Sequence, residues 1–274
     1  MTDTPRLTDR SALARNRARA IAQGPELFLH EAALDEVQDR LSMVNRAFTK
    51  PAIVTGFPDF WSSAMPHAKI VPDDEVLALD QGAHDLVIHA MALHWANDPV
   101  GQVIQCRRSL QADGMFLSMA FGGQTLAHLR TALAEAESQI TGGLSPRVAP
   151  MAEIRGMGAL LQRAGLALPV ADSVPLKVSY ADTLALMRDL RAMGEGNALA
   201  ARLRHPTRRA VFARASAIHA ELAADAAGRM TETFELVILT GWAPDDSQPK
   251  PLRPGSAQSR LADALGTQET KLRD

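Results

Sequence analysis

Asp85-Leu86-Val87-Ile88-His89-Ala90-Met91-Ala92-Leu93-His94-Trp95-Ala96-Asn97-Asp98-Pro99 decides how this chain folds. An acidic residue opens an apolar run of strand character, and the run gives way to a polar and aromatic loop. Asn97-Asp98-Pro99 then starts a helix, with Asp98 suited to the N-cap and Pro99 to the first helical position. Val100, Val103, Ile104 and Leu110 put one apolar stripe on that helix, and Ala112-Asp113-Gly114 turns the chain into a second apolar run at 115–120. Strand, helix and strand within about thirty residues is the length of a right-handed crossover between parallel strands, so the unit belongs at the centre of an open α/β sheet.

The totals fit that placement. With 274 residues and 46% hydrophobic side chains the chain can bury a sizeable core, and a net charge of −2 gives no general attraction to nucleic acid or to an anionic membrane. No apolar run approaches the ~18 residues of a membrane span, and residues 1–25 lack the apolar core of a secretory signal, so a cytoplasmic location is expected. The single cysteine, Cys106, rules out an internal disulfide and reads as a small packing residue on the helix. The eight histidines show no metal-ligand spacing, so no metal is expected; one tyrosine and scattered basic residues give no stacking platform for nucleic acid.

Upstream of the deciding stretch, residues 5–20 interleave five arginines (Arg6, Arg10, Arg15, Arg17, Arg19) with alanine and leucine and read as a basic, solvated helix. Leu34, Val37, Leu41, Val44 and Phe48 predict a helix of about four turns. A short strand at 51–56 leads into Gly56-Phe57-Pro58-Asp59-Phe60-Trp61, and Lys69-Ile70-Val71-Pro72 reads as another strand. Downstream, 124–140 and 151–164 have helical spacing, 166–170 and 176–180 are strand-like, and 184–190 and 211–222 are helical. Residues 233–242 form a last strand, followed by a proline-rich tail at 251–257 and a short polar helix near 261–265.

The wording of Asp85 to Ile88, Leu93-His94-Trp95, Asn97-Asp98, Leu110, Asp113-Gly114 and Phe121-Gly122-Gly123 resembles the fourth and fifth strands of class I S-adenosylmethionine-dependent methyltransferases. Phe-Gly-Gly-x-Thr-Leu at 121–126 and Gly-Gly-x-Ser-Pro-Arg at 142–147 resemble one branch of that superfamily. The branch holds malonyl-carrier-protein O-methyltransferases of biotin synthesis and the methyltransferase-like assembly factors of respiratory complex I. The resemblance covers nearly the whole chain. It implies an α/β fold with a Rossmann-like class I sheet and helical insertions after strands 5 and 6. Four segments of a single domain are expected: N-terminal helices (1–50), the Rossmann-like core (51–123), helical insertions with strand 6 (124–232), and the last strand with its tail (233–274).

Carried over residue by residue, the resemblance implies a cofactor-facing set of Gly56, Asp73, His89, Ala90 and Met91, with Asp73 at the adenine amino group and His89, Ala90 and Met91 on the loop facing the sulfonium. His94 is implied as a base, and Trp95, Phe121 and Arg147 as substrate-side residues. Two departures stand out. The family loop Gly-x-Gly-x-Gly, whose bare backbone lets the cofactor come close, keeps only Gly56 here; Phe57 and Phe60 are bulky and Pro58 lacks a donor. The span from Ala52 to Asp85 is also too short for two further strands and a helix, so one strand-helix unit is missing, read as the second strand with its ribose-binding carboxylate. The resemblance therefore implies methyl transfer from S-adenosylmethionine to a small carboxylate, a carrier-bound acyl group or a protein side chain. The alternative is a non-catalytic binding or assembly factor of the respiratory complex I type that has lost the usual cofactor binding and uses no cofactor. Arginines 188, 191, 202, 204, 208, 209 and 214 offer an acidic partner a basic face, or simply solvate their helices.

Overall fold

The computed structural model describes residues 6–249, 262–263 and 266–267. Residues up to Pro244 gather into one compact unit and 245–274 into a second. In the second, Asp245 makes a turn in which its Oδ1 accepts from Ser247 N–H (2.9 Å) and Oγ (2.6 Å). The proline-rich stretch at 251–257 lies outside the described residues, and of the helix expected near 261–265 only 262–263 are described, as helix.

Six strands form one sheet in the order β2-β1-β3-β4-β6-β5. They are β1 (Pro51–Thr55), β2 (Lys69–Pro72), β3 (His84–Ala90), β4 (Leu110–Gly122), β5 (Ala167–Tyr180) and β6 (Met230–Trp242). β2, β1, β3 and β4 run parallel, while β6 is antiparallel to both β4 and β5. Every residue of β3 is buried, as befits a central parallel strand covered on both faces. The connection after it follows local chemistry. Asp98 Oδ1 caps the Gly101 N–H at 2.8 Å and Pro99 opens helix α4 (Pro99–Ser109). Asp85 has a different job at the other end of the strand, where its carboxylate accepts the N–H groups of Thr49 (2.5 Å) and Lys50 (2.9 Å) and fixes the entry to β1.

Period-two alternation sorts the sheet's side chains into two layers. Ile53, Leu86, Ile88, Met115, Leu117, Met119, Leu236 and Ile238 face helices α2 (Phe28–Met43), α5 (Ala127–Thr141), α7 (Thr183–Ala192) and α8 (Arg209–Ala223). Ala52, Val54, Val87, Phe116, Val237 and Leu239 face α4 and α6 (Ile154–Arg163), where Cys106 is fully buried. Helix α1 (Arg10–Gln23) packs through Ala12 and Leu13 on Trp95, Ala198 and Leu199, and so lies over the carboxyl ends of the strands. Short helix α3 (Pro58–Ala64) follows β1 and buries Trp61.

Several elements differ from their sequence reading. α2 ends at Met43 because Val44 is extended, so the stripe through Phe48 outruns the helix. The two strand-like pieces at 166–170 and 176–180 are one continuous strand, β5, with a register shift near Ala167. A strand-helix unit is indeed missing, but the retained strand at 69–72 lies directly against β1. In a doubly wound sheet of order 3-2-1-4-5-6 that is the second strand's place, so the absent strand is the outer one.

Candidate functional site

The carboxyl ends of the parallel strands open on two cavities. One, of 330 Å³, is lined by Thr55, Gly56, Pro58, Pro72, Asp73 and Asp74 from the sheet side and by Arg10, Leu13 and Arg17 from α1. β2 sits beside β1, so Asp73 follows the strand next to the first one and lies beside Gly56 in this cavity. Its oxygens are taken: Arg17 Nη1 donates to Oδ1 at 2.7 Å and Arg10 Nη1 to Oδ2 at 3.1 Å. Burial raises the Asp73 carboxyl, but the charges of Arg17 and Arg10 outweigh it and hold the group below the usual carboxylate range.

Arg17 also lies on Gly56. A Cβ on Gly56 would stand 2.6 Å from Arg17 Nε, so the guanidinium fills the space left by the missing side chain. Gly194, at φ +74°, lets the chain pass under α1, where a Cβ would meet Arg17 Cγ and the Phe57 ring, each at 3.1 Å. Phe57 is buried and its ring centroid lies 4.8 Å from that of His30. His30 accepts the Trp61 indole N–H on Nδ1 at 3.1 Å, and burial pushes its pKa down to about 4.

His89 and Ala90 belong to β3 rather than to a loop, and Met91 follows the strand with φ 53° and its N–H on Met119 O at 2.9 Å. None of the three lines either cavity. The His89 ring is fully buried, with Nε2 2.7 Å from Gln102 Oε1. Gln102 Nε2 itself donates to Asp74 O, so His89 Nε2 carries the proton and Nδ1 is left without a partner. Burial lowers its pKa.

The second cavity, of 210 Å³, brings together His94, Trp95, Phe121 and Arg147, all four residues expected at the catalytic and substrate side. Apolar side chains dominate its walls, among them Leu129, Met187, Phe212 and Phe234. Among the described residues that line it the one acid is Glu195, which sequence reasoning missed. Glu195 Oε2 accepts Trp95 Nε1–H at 2.8 Å and lies 3.3 Å from His94 Nε2. His94 Nδ1 faces the Phe121 N–H at 3.4 Å, so Nδ1 is the acceptor and Nε2–H points to Glu195. The His94 ring borders the cavity while both of its nitrogens are engaged within the fold, Nε2 toward Glu195 and Nδ1 toward the Phe121 N–H. Burial raises the Glu195 carboxyl, but His94, the Arg17 charge and the Trp95 hydrogen bond outweigh it, and the group stays ionised. Its Oε1 has no hydrogen-bond partner among the described residues. The available signal was Gly194-Glu195-Gly196, an acid between two glycines in a turn.

Arg147 borders the cavity but its guanidinium is committed elsewhere. Nε and Nη2 hold both oxygens of Glu137 on α5, and Nη1 donates to Thr207 Oγ1 at 2.9 Å. Ser145 N–H and Oγ bind the same carboxylate, so the Gly-Gly-x-Ser-Pro-Arg segment is a loop folded onto Glu137. Arg191 also lines the cavity; it is exposed, and its guanidinium has no partner among the described residues. Among the described residues no group of three or more His, Cys, Asp or Glu could hold a metal ion, and no helix is long and apolar enough to cross a membrane.

The sheet order, the antiparallel β6 and the insertions over the strand ends define a Rossmann-like class I methyltransferase fold. No protein-family profile matches the chain. It is 34% identical over 221 residues to the zebrafish (Danio rerio) "Arginine-hydroxylase NDUFAF5, mitochondrial", covering 81% of this chain and 68% of that one. It belongs to that family. It is also 37% identical over 196 residues to the protein of the same name from Dictyostelium discoideum, covering 71% of this chain and 45% of that one. A malonyl-[acyl-carrier protein] O-methyltransferase of Laribacter hongkongensis is 34% identical over 177 residues, covering 65% of this chain and 57% of that one. The chain thus spans from about half to two thirds of these relatives' lengths. Among solved structures, phosphoethanolamine N-methyltransferase 2 of Haemonchus contortus matches 77% of this chain and 53% of its own with a TM-score of 0.42 and 11% identity, which adds nothing to the strand order itself.

Proposed function

We propose that the chain acts on a protein substrate and draws an arginine side chain of it into the cavity that Glu195 lines. The observation that carries this reading is an ionised carboxylate, with Oε1 free of hydrogen-bond partners among the described residues, in the lining of a largely apolar cavity with aromatic walls. A buried carboxylate of that kind favours a cation, and a guanidinium can meet it through a charge-assisted hydrogen bond while its plane packs on Trp95, Phe121 or Phe212. His94 and the Trp95 indole hold Glu195 in place and leave Oε1 for the ligand. The zebrafish and Dictyostelium relatives carry arginine hydroxylation in their names; that reaction is a two-electron oxidation whose oxidant this cavity does not supply, so the proposal is binding of an arginine side chain and assigns no oxidation step. The cytoplasmic location expected from the sequence stays part of the proposal against the mitochondrial one named for those relatives, and fractionation of the source cells decides between them.

The test is calorimetric titration with N-acetyl-arginine amide and its citrulline counterpart. Binding of the arginine compound, its loss by at least ~10-fold in Glu195→Gln, and no binding of citrulline are expected. Equal binding of the two compounds would sink the reading.

A second reading, methyl transfer to a carrier-bound acyl group or a protein side chain, has the 330 Å³ cavity beside Gly56 and Asp73 in its favour. It needs S-adenosylmethionine there. The residues as they stand do not fit that group: each Asp73 oxygen is already paired with an arginine that occupies the approach to it, and Arg17 covers the one backbone glycine the cofactor would approach. No step is therefore derived through the cofactor. An assembly role without catalysis is the remaining alternative, distinguished by partner binding that survives Glu195→Gln.

A further inference from the structure

We infer that Arg17 is a resident plug: the guanidinium from α1 takes the seat that S-adenosylmethionine holds in methyltransferases of this fold, and its removal reopens the seat. The inference stands on Gly56 and Asp73 and does not depend on the arginine cavity. Three observations converge. The guanidinium lies against Gly56 in the space kept by the missing Cβ, with Nε buried and without a hydrogen-bond partner. Nη1 is bound to Asp73, the carboxylate beside Gly56, at 2.7 Å. Arg10, two turns earlier on the same face of α1 at i−7, pairs with the other Asp73 oxygen at 3.1 Å.

The plug is held by more than its own contacts. Asp9 caps α1 by accepting the Ala12 N–H at 3.0 Å and pairs with Arg202 at 2.9 Å, while the Thr8 N–H donates to Asn97 Oδ1 at 2.8 Å. Gly194 removes the side chain that would keep α1 from closing down. An entering cofactor therefore competes with an intramolecular group already at high effective concentration, and its apparent affinity falls by the fraction of molecules in which α1 is open. S-adenosylmethionine has a net charge of about +1, its sulfonium being in excess of the balanced ammonium and carboxylate, and two arginines against the one Asp73 carboxylate leave the seat positive and oppose it by charge. S-adenosylhomocysteine lacks the sulfonium and is the more permissive probe.

The experiment is calorimetric titration of the full chain with S-adenosylhomocysteine, comparing wild type with Arg17→Ala and Arg17→Lys, the fold of each confirmed by circular dichroism and a cooperative melt. Lysine keeps a cation for Asp73 while removing the planar group from Gly56, so it preserves the fold if alanine does not. The expected result is no binding by wild type at ~1 mM ligand and a gain of at least ~30-fold in each folded variant. Micromolar binding by wild type, or a folded variant that binds no better than wild type, would overturn the inference.

Discussion

Arg147 grips Glu137 side by side, Nε on Oε2 at 2.9 Å and Nη2 on Oε1 at 2.7 Å, and Ser145 of the same loop binds the carboxylate as well. Glu137 is 4% exposed. Removing the cation while leaving the acid strands a buried charge, so Arg147→Met is expected to cost about 3–5 kcal/mol in urea unfolding. Arg147→Met combined with Glu137→Leu should recover most of it. A loss under about 1 kcal/mol in the single variant would mean the pair is solvated.

Acid should weaken the protein in two stages. His30 must keep Nδ1 free for the Trp61 N–H, and its folded pKa of about 4 lies below the ordinary 6.5. Between those values the unfolded chain takes up a proton that the folded one refuses, so stability falls as pH drops from 6.5 to 4, by up to about 3 kcal/mol. Glu137, pulled down to about 2 chiefly by its Arg147 hydrogen bonds, contributes stability above pH 4.5 that is lost as pH falls toward 2. Denaturant midpoints measured across pH 3–8 should show both stages, and His30→Gln should flatten the first alone.

Gly56→Ala drives a methyl group into the Arg17 guanidinium. A destabilisation of about 1–3 kcal/mol is expected, falling to near zero in an Arg17→Ala background. Strict additivity in this double-mutant cycle would show that the two residues do not touch.

Cys106 is fully buried on α4 against the sheet, and burial pushes its thiol far up. Native protein should leave a thiol-specific chromogenic reagent unreacted at pH 8 and titrate as one thiol only after denaturation. Fast reaction of the native form would contradict the packing of α4.

How far the chain could be read in advance follows the distance over which each signal acts. Asp98 and Pro99 start α4 within one turn, and the apolar run at 85–90 carries its own burial, so the central crossover was legible from adjacent residues. His94, Trp95, Phe121 and Arg147, named on resemblance, line one cavity. Their roles were not legible, because each is fixed by a partner far along the chain: Glu195 lies 101 residues beyond His94, and Asp73 lies 56 beyond Arg17. An arginine among alternating alanines looks like a solvated face until the element under it is known. Val44 and Phe48 kept a helical period past the end of α2 because they pack against the same core from an extended segment.

The place of β6 in the sheet sets a schedule for making the protein. It lies between β4 and β5, yet it leaves the ribosome after both, and among the described strands β5 pairs with β6 alone. A nascent chain that has not yet reached Met230 therefore presents the unpaired edge of β4 and a fourteen-residue β5 with no sheet to join. Closure of the sheet waits for the last strand, and until then the growing chain is a client for whatever in the cell shields bare strand edges.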